Sequence, residues 1–361
     1  MDWDDSERVA ARRRLSTAAA ALWNEKATAG ERLAAVEELY ALFSELTQVG
    51  DGFDQSPEDD AATELAQGTA ISPKDAARCL LDLHRTTQFL RGIEAALREA
   101  QRRFPGQTLE LLYAGCGPYA TLAVPLCLRF SPAEVQLTLI DFHERSLRAA
   151  KSLLARLGFS DFLRAAVQCD AATYRHPAER APHLIVAESL QRALSKEPQL
   201  AITANLAPQL RAGGIFIPRR ISIQLCLADL SKEFTLLAAG SGSSAPLPLA
   251  RDRVDLGTVL ELTAARAPDL LRAAGGTGAS GASALPAVRV SIPELRPQSS
   301  YRAMLLTAIE VFDAFALGDY DSGITQPHIF HELGTLRGGE ILELRYHLGP
   351  RPGFQVNRIA P

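Results

Sequence analysis

Residues 109–141 constrain this chain more than any other stretch. An apolar run of strand length, Leu109–Ala114, ends in the turn Gly115-Cys116-Gly117-Pro118, and an apolar, helix-like segment near Ala120–Arg129 follows. A second apolar run, Val135–Ile140, stops at Asp141. Strand, glycine turn, helix, strand and acid, in that order, outline a mononucleotide-binding βαβ unit. The glycines let backbone approach a ligand closely, and an acid ending the second strand can accept both hydroxyls of a ribose. A bare Gly-x-Gly is weak; the acid makes the pattern far more specific, without saying which nucleotide is bound.

The alternation continues to about Pro218. Strands are expected at Ala165–Cys169, Leu184–Ala187 and Gly214–Ile217, and helices near Glu144–Leu157 and Gln199–Arg211, which implies a mostly parallel sheet. Upstream, residues 1–106 read as a helical region. Glu31–Leu46 places Leu33, Val36, Leu39, Tyr40, Phe43 and Leu46 on one face. Ser72, Pro73 and Asp75 open a long helix that runs to Pro105-Gly106. Between these helices the acidic segment Gly50–Gly68 is expected to be a loop, with the role of lid left open.

Downstream, in residues 219–361, the pattern changes. Ile221–Ala228 and Glu340–His347 alternate at period two, and Val288–Ile292 and Met304–Phe312 are β-rich, which predicts an antiparallel domain. Gly240–Pro248 and Gly275–Ala284 are low in complexity and read as loops.

Composition narrows the function classes. A formal charge of −4 gives no basic face for nucleic acid. Five scattered cysteines with no CxxC pair predict reduced thiols in a cytoplasm, with neither a disulfide framework nor a zinc site. The charged opening MDWDDSERVAARRRL lacks the apolar core of a secretory leader, and no apolar run approaches the roughly 20 residues that span a membrane.

Taken together, these features resemble the class I S-adenosylmethionine (SAM)-dependent methyltransferases, and within them the protein arginine methyltransferase branch. Four local matches carry the resemblance. Gly115-Cys116-Gly117 with Asp141 is the first. Asp82-Leu83-His84-Arg85-Thr86 is similar to the D-x-x-R-T segment of that branch. Glu188 and Glu197, nine residues apart after the fourth strand, are similar in spacing to its double-glutamate loop. The tail from Leu336-Arg337-Gly338-Gly339 to Val356 looks like its final hairpin. The implied architecture is α/β: a Rossmann-like class I methyltransferase domain at 107–218, an N-terminal helical region at 1–106 and a C-terminal antiparallel β-domain at 219–361.

The resemblance also implies roles. The glycine turn would hold the methionine part of SAM, Asp141 the ribose, and Arg85 the SAM carboxylate, which a guanidinium can pair bidentately. Asp170, with Cys169 and Ala171, would sit beside the adenine. Glu188, alone or with Glu197, would orient an amine, guanidine or hydroxyl of the acceptor. A homodimer through a surface arm in the second half is a further implication.

There are departures. Tyr113 stands where the branch carries an acid, Tyr119 lies where a third glycine is usual, Ser-Leu-Gln-Arg follows Glu188, and no Thr-His-Trp triplet occurs. His328 and His331 do not make up a metal site. The departures point to a small-metabolite acceptor rather than peptidyl-arginine. Two other readings stay open: a SAM-consuming enzyme that releases methylthioadenosine by cyclisation or aminocarboxypropyl transfer, and a SAM-binding protein without turnover. Each residue also has a plain structural alternative. The alternatives are a helix N-cap for Asp141, a loop cap for Asp170, a solvated helix arginine for Arg85, a helix-surface residue for Glu197, and core or lid aromatics for Tyr113 and Tyr119, against one of them facing the sulfonium.

Overall fold

A computed structural model describes residues 5–53, 57–233, 251–275, 283–296 and 300–359. The chain opens with α1 (Asp5–Trp23) and α2 (Ala29–Thr47), antiparallel neighbours, and α2 starts on a Thr28–Glu31 capping box. Val36, Leu39, Phe43 and Leu46 are buried as the helical spacing predicts, whereas Leu33 is 46% exposed. Next come α3 (Pro57–Asp60) and a two-stranded hairpin, β1 (Thr63–Leu65) and β2 (Gly68–Ala70). The expected loop at Gly50–Gly68 thus contains a helical turn and a strand.

The long helix expected from Pro73 is broken. It runs as α4 (Pro73–Arg78), a 3-10 turn (Cys79–Leu81) and α5 (Leu83–Arg103). Asp82 makes the break: its backbone is extended (ψ 94°) and its carboxylate caps α5 by accepting from Arg85 N. The other carboxylate oxygen accepts from Ser322 Oγ at 2.6 Å and Gly323 N at 2.9 Å, so a distant loop holds the break open.

A five-stranded parallel sheet follows, built from β3 (Leu109–Ala114), β4 (Val135–Asp141), β5 (Leu163–Gln168), β6 (Leu184–Ala187) and β7 (Ile215–Ile217), with α6 (Glu144–Arg156) and α7 (Gln199–Leu206) between strands. Its order is β5-β4-β3-β6-β7. The chain starts at the centre and winds outward in both directions, which is a Rossmann-like, doubly wound α/β sheet. One expected helix is absent: residues 118–129 form tight turns and a 3-10 segment, Val124–Leu128. Pro125 has no N–H to give a helix, and Ala120 is left-handed at φ 42°. Likewise the helix expected to Arg211 ends at Leu206, where a 3-10 turn containing Pro208 takes over.

The remainder comprises β8 (Arg220–Asp229), α8 (Leu230–Glu233), β9 (Arg253–Leu262), α9 (Ala267–Ala273), β10 (Val288–Ser291), β11 (Tyr301–Phe312), β12 (Phe315–Leu317), β13 (His328–Ile329), β14 (Ile341–His347) and β15 (Gly353–Ile359). These strands pair antiparallel in two sheets, β12-β11-β8-β9 with β13 on β11, and β10-β14-β15. Gly240–Pro248 lies outside the described residues, as does most of Gly275–Ala284. In the second half, α9 packs back on α7 of the same chain. One cluster of buried apolar side chains extends from Ala11 to Val356, so helices, parallel sheet and antiparallel strands share a core.

Candidate functional site

In a doubly wound sheet the crevice forms at the carboxyl ends of the strands, where winding reverses. Here that place lies between β3, which runs into Gly115, and β6, which runs into Glu188. A cavity of about 930 Å³, counting its open side, occupies it. The catalytic and cofactor-binding candidates from the sequence all line it: Arg85, Tyr113, Gly115, Cys116, Gly117, Asp141, Asp170, Ala171, Glu188 and Glu197.

At one end sits the glycine turn. Gly115 (φ 69°) and Gly117 (φ 62°) are left-handed, and a Cβ on Gly115 would come within 2.5 Å of Ser189 Oγ. The buried Asp141 carboxylate ties this turn to the start of α6. Oδ2 accepts from Gly117 N and Oδ1 from His143 N, both at 2.9 Å. Asp141 is not the N-cap of α6; that position is His143, which lacks a side-chain cap. Burial pushes the Asp141 carboxyl up, and the two backbone N–H groups pull it down. Asp170 does cap its own loop, with Oδ1 accepting from Ala172 N at 2.8 Å.

The other end is charged. The break at Asp82 aims Arg85 inward, where its side chain is 15% exposed and Nη2 pairs with Glu188 Oε2. Arg85 is therefore not a solvated helix residue. Glu188 Oε1 is buried and has no hydrogen-bond partner among the described residues. Burial raises the Glu188 carboxyl, against the pull of Arg85. Glu197 is buried too, ahead of α7 rather than on its surface. Burial, then the neighbouring Glu188 charge, moves it up to about 7, with Arg85 and Gln191 opposing.

The loop joining these carboxylates is strained. Ala193 (φ 54°), Leu194 (φ 54°) and Lys196 (φ 66°) are all left-handed without being glycine, a conformation costing about 1–2 kcal/mol per residue. Its braces come from remote parts of the chain. Ala193 N donates to Thr307 Oγ1 at 2.9 Å, Tyr346 Oη donates to Leu194 O at 2.8 Å, and Lys196 N donates to Pro352 O at 3.0 Å.

The hairpin β1–β2 covers this end. Leu65, Thr69 and Ala70 line the cavity, Thr69 N donates to Lys196 O at 2.8 Å, and a Cβ on Gly68 would meet Pro198 N at 2.7 Å. Sequence reasoning did not find this hairpin, nor Cys79, Thr86, Phe142, His143 and Ser189, which also line the cavity. Their positions one or two residues from Arg85, Asp141 and Glu188 were the available signal for most of them. Tyr113 lines the cavity and is buried, while Tyr119 is wholly buried in the core.

Among the described residues no group of three or more His, Cys, Asp or Glu side chains is placed to hold a metal ion. No described helix is long and apolar enough to cross a membrane.

The fold and cavity define an α/β protein with a Rossmann-like sheet, a helical N-terminal region and C-terminal antiparallel sheets. No family model matches the chain, and no curated protein matches it. Among solved structures, it is similar to a chain of the Trypanosoma brucei PRMT1 enzyme–prozyme heterotetrameric complex with AdoHcy, at 11% identity and a TM-score of 0.47 over 78% of this chain and 97% of that one.

Proposed function

We propose that the cavity binds SAM and that the protein transfers its methyl group to an amine, guanidine or hydroxyl of a small metabolite. The observation that carries this is the pairing of contents at the two ends. A glycine turn and a strand-ending acid face one way, and a buried guanidinium beside a carboxylate with an unpartnered oxygen faces the other. That donor set fits an adenosine joined to an amino acid. Asp141 accepts the ribose hydroxyls, the turn at Gly115–Gly117 admits the sulfur-bearing chain, and Arg85 takes its carboxylate. Asp170 and Ala171 flank the base.

When bound, SAM supplies an electrophilic methyl; the acceptor's lone pair forms the new bond as the sulfur takes back its electron pair. The chain's own work is position and electrostatics. Glu188 Oε1 accepts a hydrogen bond from the acceptor and fixes its lone pair. Glu197, at about 7, exchanges a proton near neutrality and receives the one the acceptor gives up. Two features support a small acceptor. The hairpin β1–β2 lies against the loop of the two carboxylates, and the aromatic, methionine-rich loop of the arginine enzymes is replaced by Ser-Leu-Gln-Arg.

Titration calorimetry with S-adenosylhomocysteine, followed by mass spectrometry of SAM turnover against a panel of small amines, guanidines and alcohols, tests the proposal. Binding with S-adenosylhomocysteine as product is the expected result. Methylthioadenosine as product would replace methyl transfer by attack at the aminocarboxypropyl arm, and binding without any product would leave a ligand-binding protein.

A further inference from the structure

We infer that Tyr119 is a positioning residue for the glycine turn and that the last turn of α2 with the elbow after it, residues 44–51, belongs to the ligand site through it. This rests on the SAM reading given above. Tyr119 lies two residues beyond Gly117 and two before Thr121, both of which line the cavity. Its own side chain leaves the cavity and enters the N-terminal helices, where it is fully buried. The hydroxyl stands 2.5 Å from Val49 O and 2.6 Å from Ser44 Oγ. A carbonyl can only accept, so Tyr119 donates to Val49 and Ser44 donates to Tyr119. Tyr40 and Phe43 meet the ring edge-on, at 6.1 and 5.6 Å.

The socket has no slack. Gly50, at φ 133°, would with a Cβ stand 2.4 Å from Ser44 Oγ and 2.8 Å from Tyr119 Oη. The same elbow holds α6, because Arg145 donates to Gln48 O at 3.0 Å. It also holds α4, because Asp51 pairs with Arg78 at 2.6 Å.

The need for such an anchor follows from the absent helix. In the usual βαβ unit the helix after the glycines fixes the turn through its own hydrogen bonds. Here Ala120 turns left-handed and only short turns follow. The Tyr119 hydroxyl does that work by bonding to residues outside the βαβ unit. The adenosine end, around Asp141 and Asp170, leans on β4 and β5, and its bond to the turn is the one from Gly117 N to Asp141.

Tyr119→Phe tests the inference by calorimetry with two ligands that differ in the amino-acid arm. S-adenosylhomocysteine, which has the arm, is expected to bind about tenfold more weakly, and methylthioadenosine, which lacks it, within about twofold of the unsubstituted protein. Ser44→Ala, which keeps the ring and removes one partner, is expected to lose about threefold for S-adenosylhomocysteine only; it serves if Tyr119→Phe does not fold. Unchanged S-adenosylhomocysteine binding in both variants overturns the inference. Equal loss for both ligands also overturns it, since that marks general destabilisation. If the unsubstituted protein binds neither ligand, the SAM reading itself fails.

Discussion

At the Asp141 end of the cavity, polar groups are satisfied by near neighbours in the sheet: Gly117 N and His143 N on one carboxylate, Gly115 N and Cys116 N on Ile140 O. At the Glu188 end nothing local suffices. Three left-handed residues are held by Thr307, Tyr346 and Pro352, and the guanidinium opposite is aimed by a helix break that Ser322 and Gly323 stabilise. The first end is held by the βαβ unit and, through Tyr119, by the elbow after α2; the second draws on the C-terminal half of the chain. Strained backbone persists only where its surroundings over-determine it, and here those surroundings are the C-terminal strands. Under the proposed function the contrast is a division of labour: the adenosine is held at one end, while the other combines the grip of Arg85 on the amino-acid carboxylate with turnover.

The largest expected effect is at the charged end. Glu188→Gln should lower product formation by about a hundredfold or more, while S-adenosylhomocysteine affinity measured by calorimetry stays within threefold, to order of magnitude. If affinity falls as far as turnover, the two ends are not separable. Asp141→Ala is the reciprocal case. It strands the Gly117 and His143 N–H groups and should weaken S-adenosylhomocysteine by about a hundredfold; a change under about threefold would remove Asp141 from the ligand site.

Tyr346→Phe removes one brace of the acidic loop. Turnover should drop by about tenfold with ligand affinity unaltered, and equal kinetics in the variant would show that the loop keeps its shape without Tyr346. A smaller effect separates the ends by pH. Folded Glu197 holds its proton up to about 7, against an ordinary value of 4.5. Between those values the folded state binds more protons, so its contribution to stability is full below 4.5 and is lost as pH rises to about 7. Melting curves of Glu197→Gln should lack that decline; a parallel profile would dismiss the assignment. The smallest effect belongs to Arg351→Ala, which removes an exposed pair with Glu64 on the hairpin and should cost less than about 1 kcal/mol in denaturant unfolding.

Much of the parallel sheet was legible because most of its strands are apolar runs bounded by glycine, proline or an acid, and site residues sit at strand ends by the logic of the fold. The less legible parts depend on partners far away. Residues 73–104 read locally as one helix; the break at Asp82 is sustained by Ser322, 240 residues on. Ala193, Leu194 and Lys196 offer no glycine or asparagine to announce a left-handed turn. The strands of the hairpin are three residues each, too short for a period to show. The missing helix after the glycine turn is a different case, because Pro118 and Pro125 lie within the segment and oppose the helix that its apolar spacing predicts.

The Ser322–Asp82 hydrogen bond also has a consequence in time. A ribosome makes Asp82 long before Ser322, so the nascent helix can run straight through this point until late in synthesis. Contacts of such high sequence separation close slowly. Ser322 and Gly323 can brace the aim of Arg85 only after every strand of the parallel sheet has been synthesised, so the parts of the charged end are the last to be brought together.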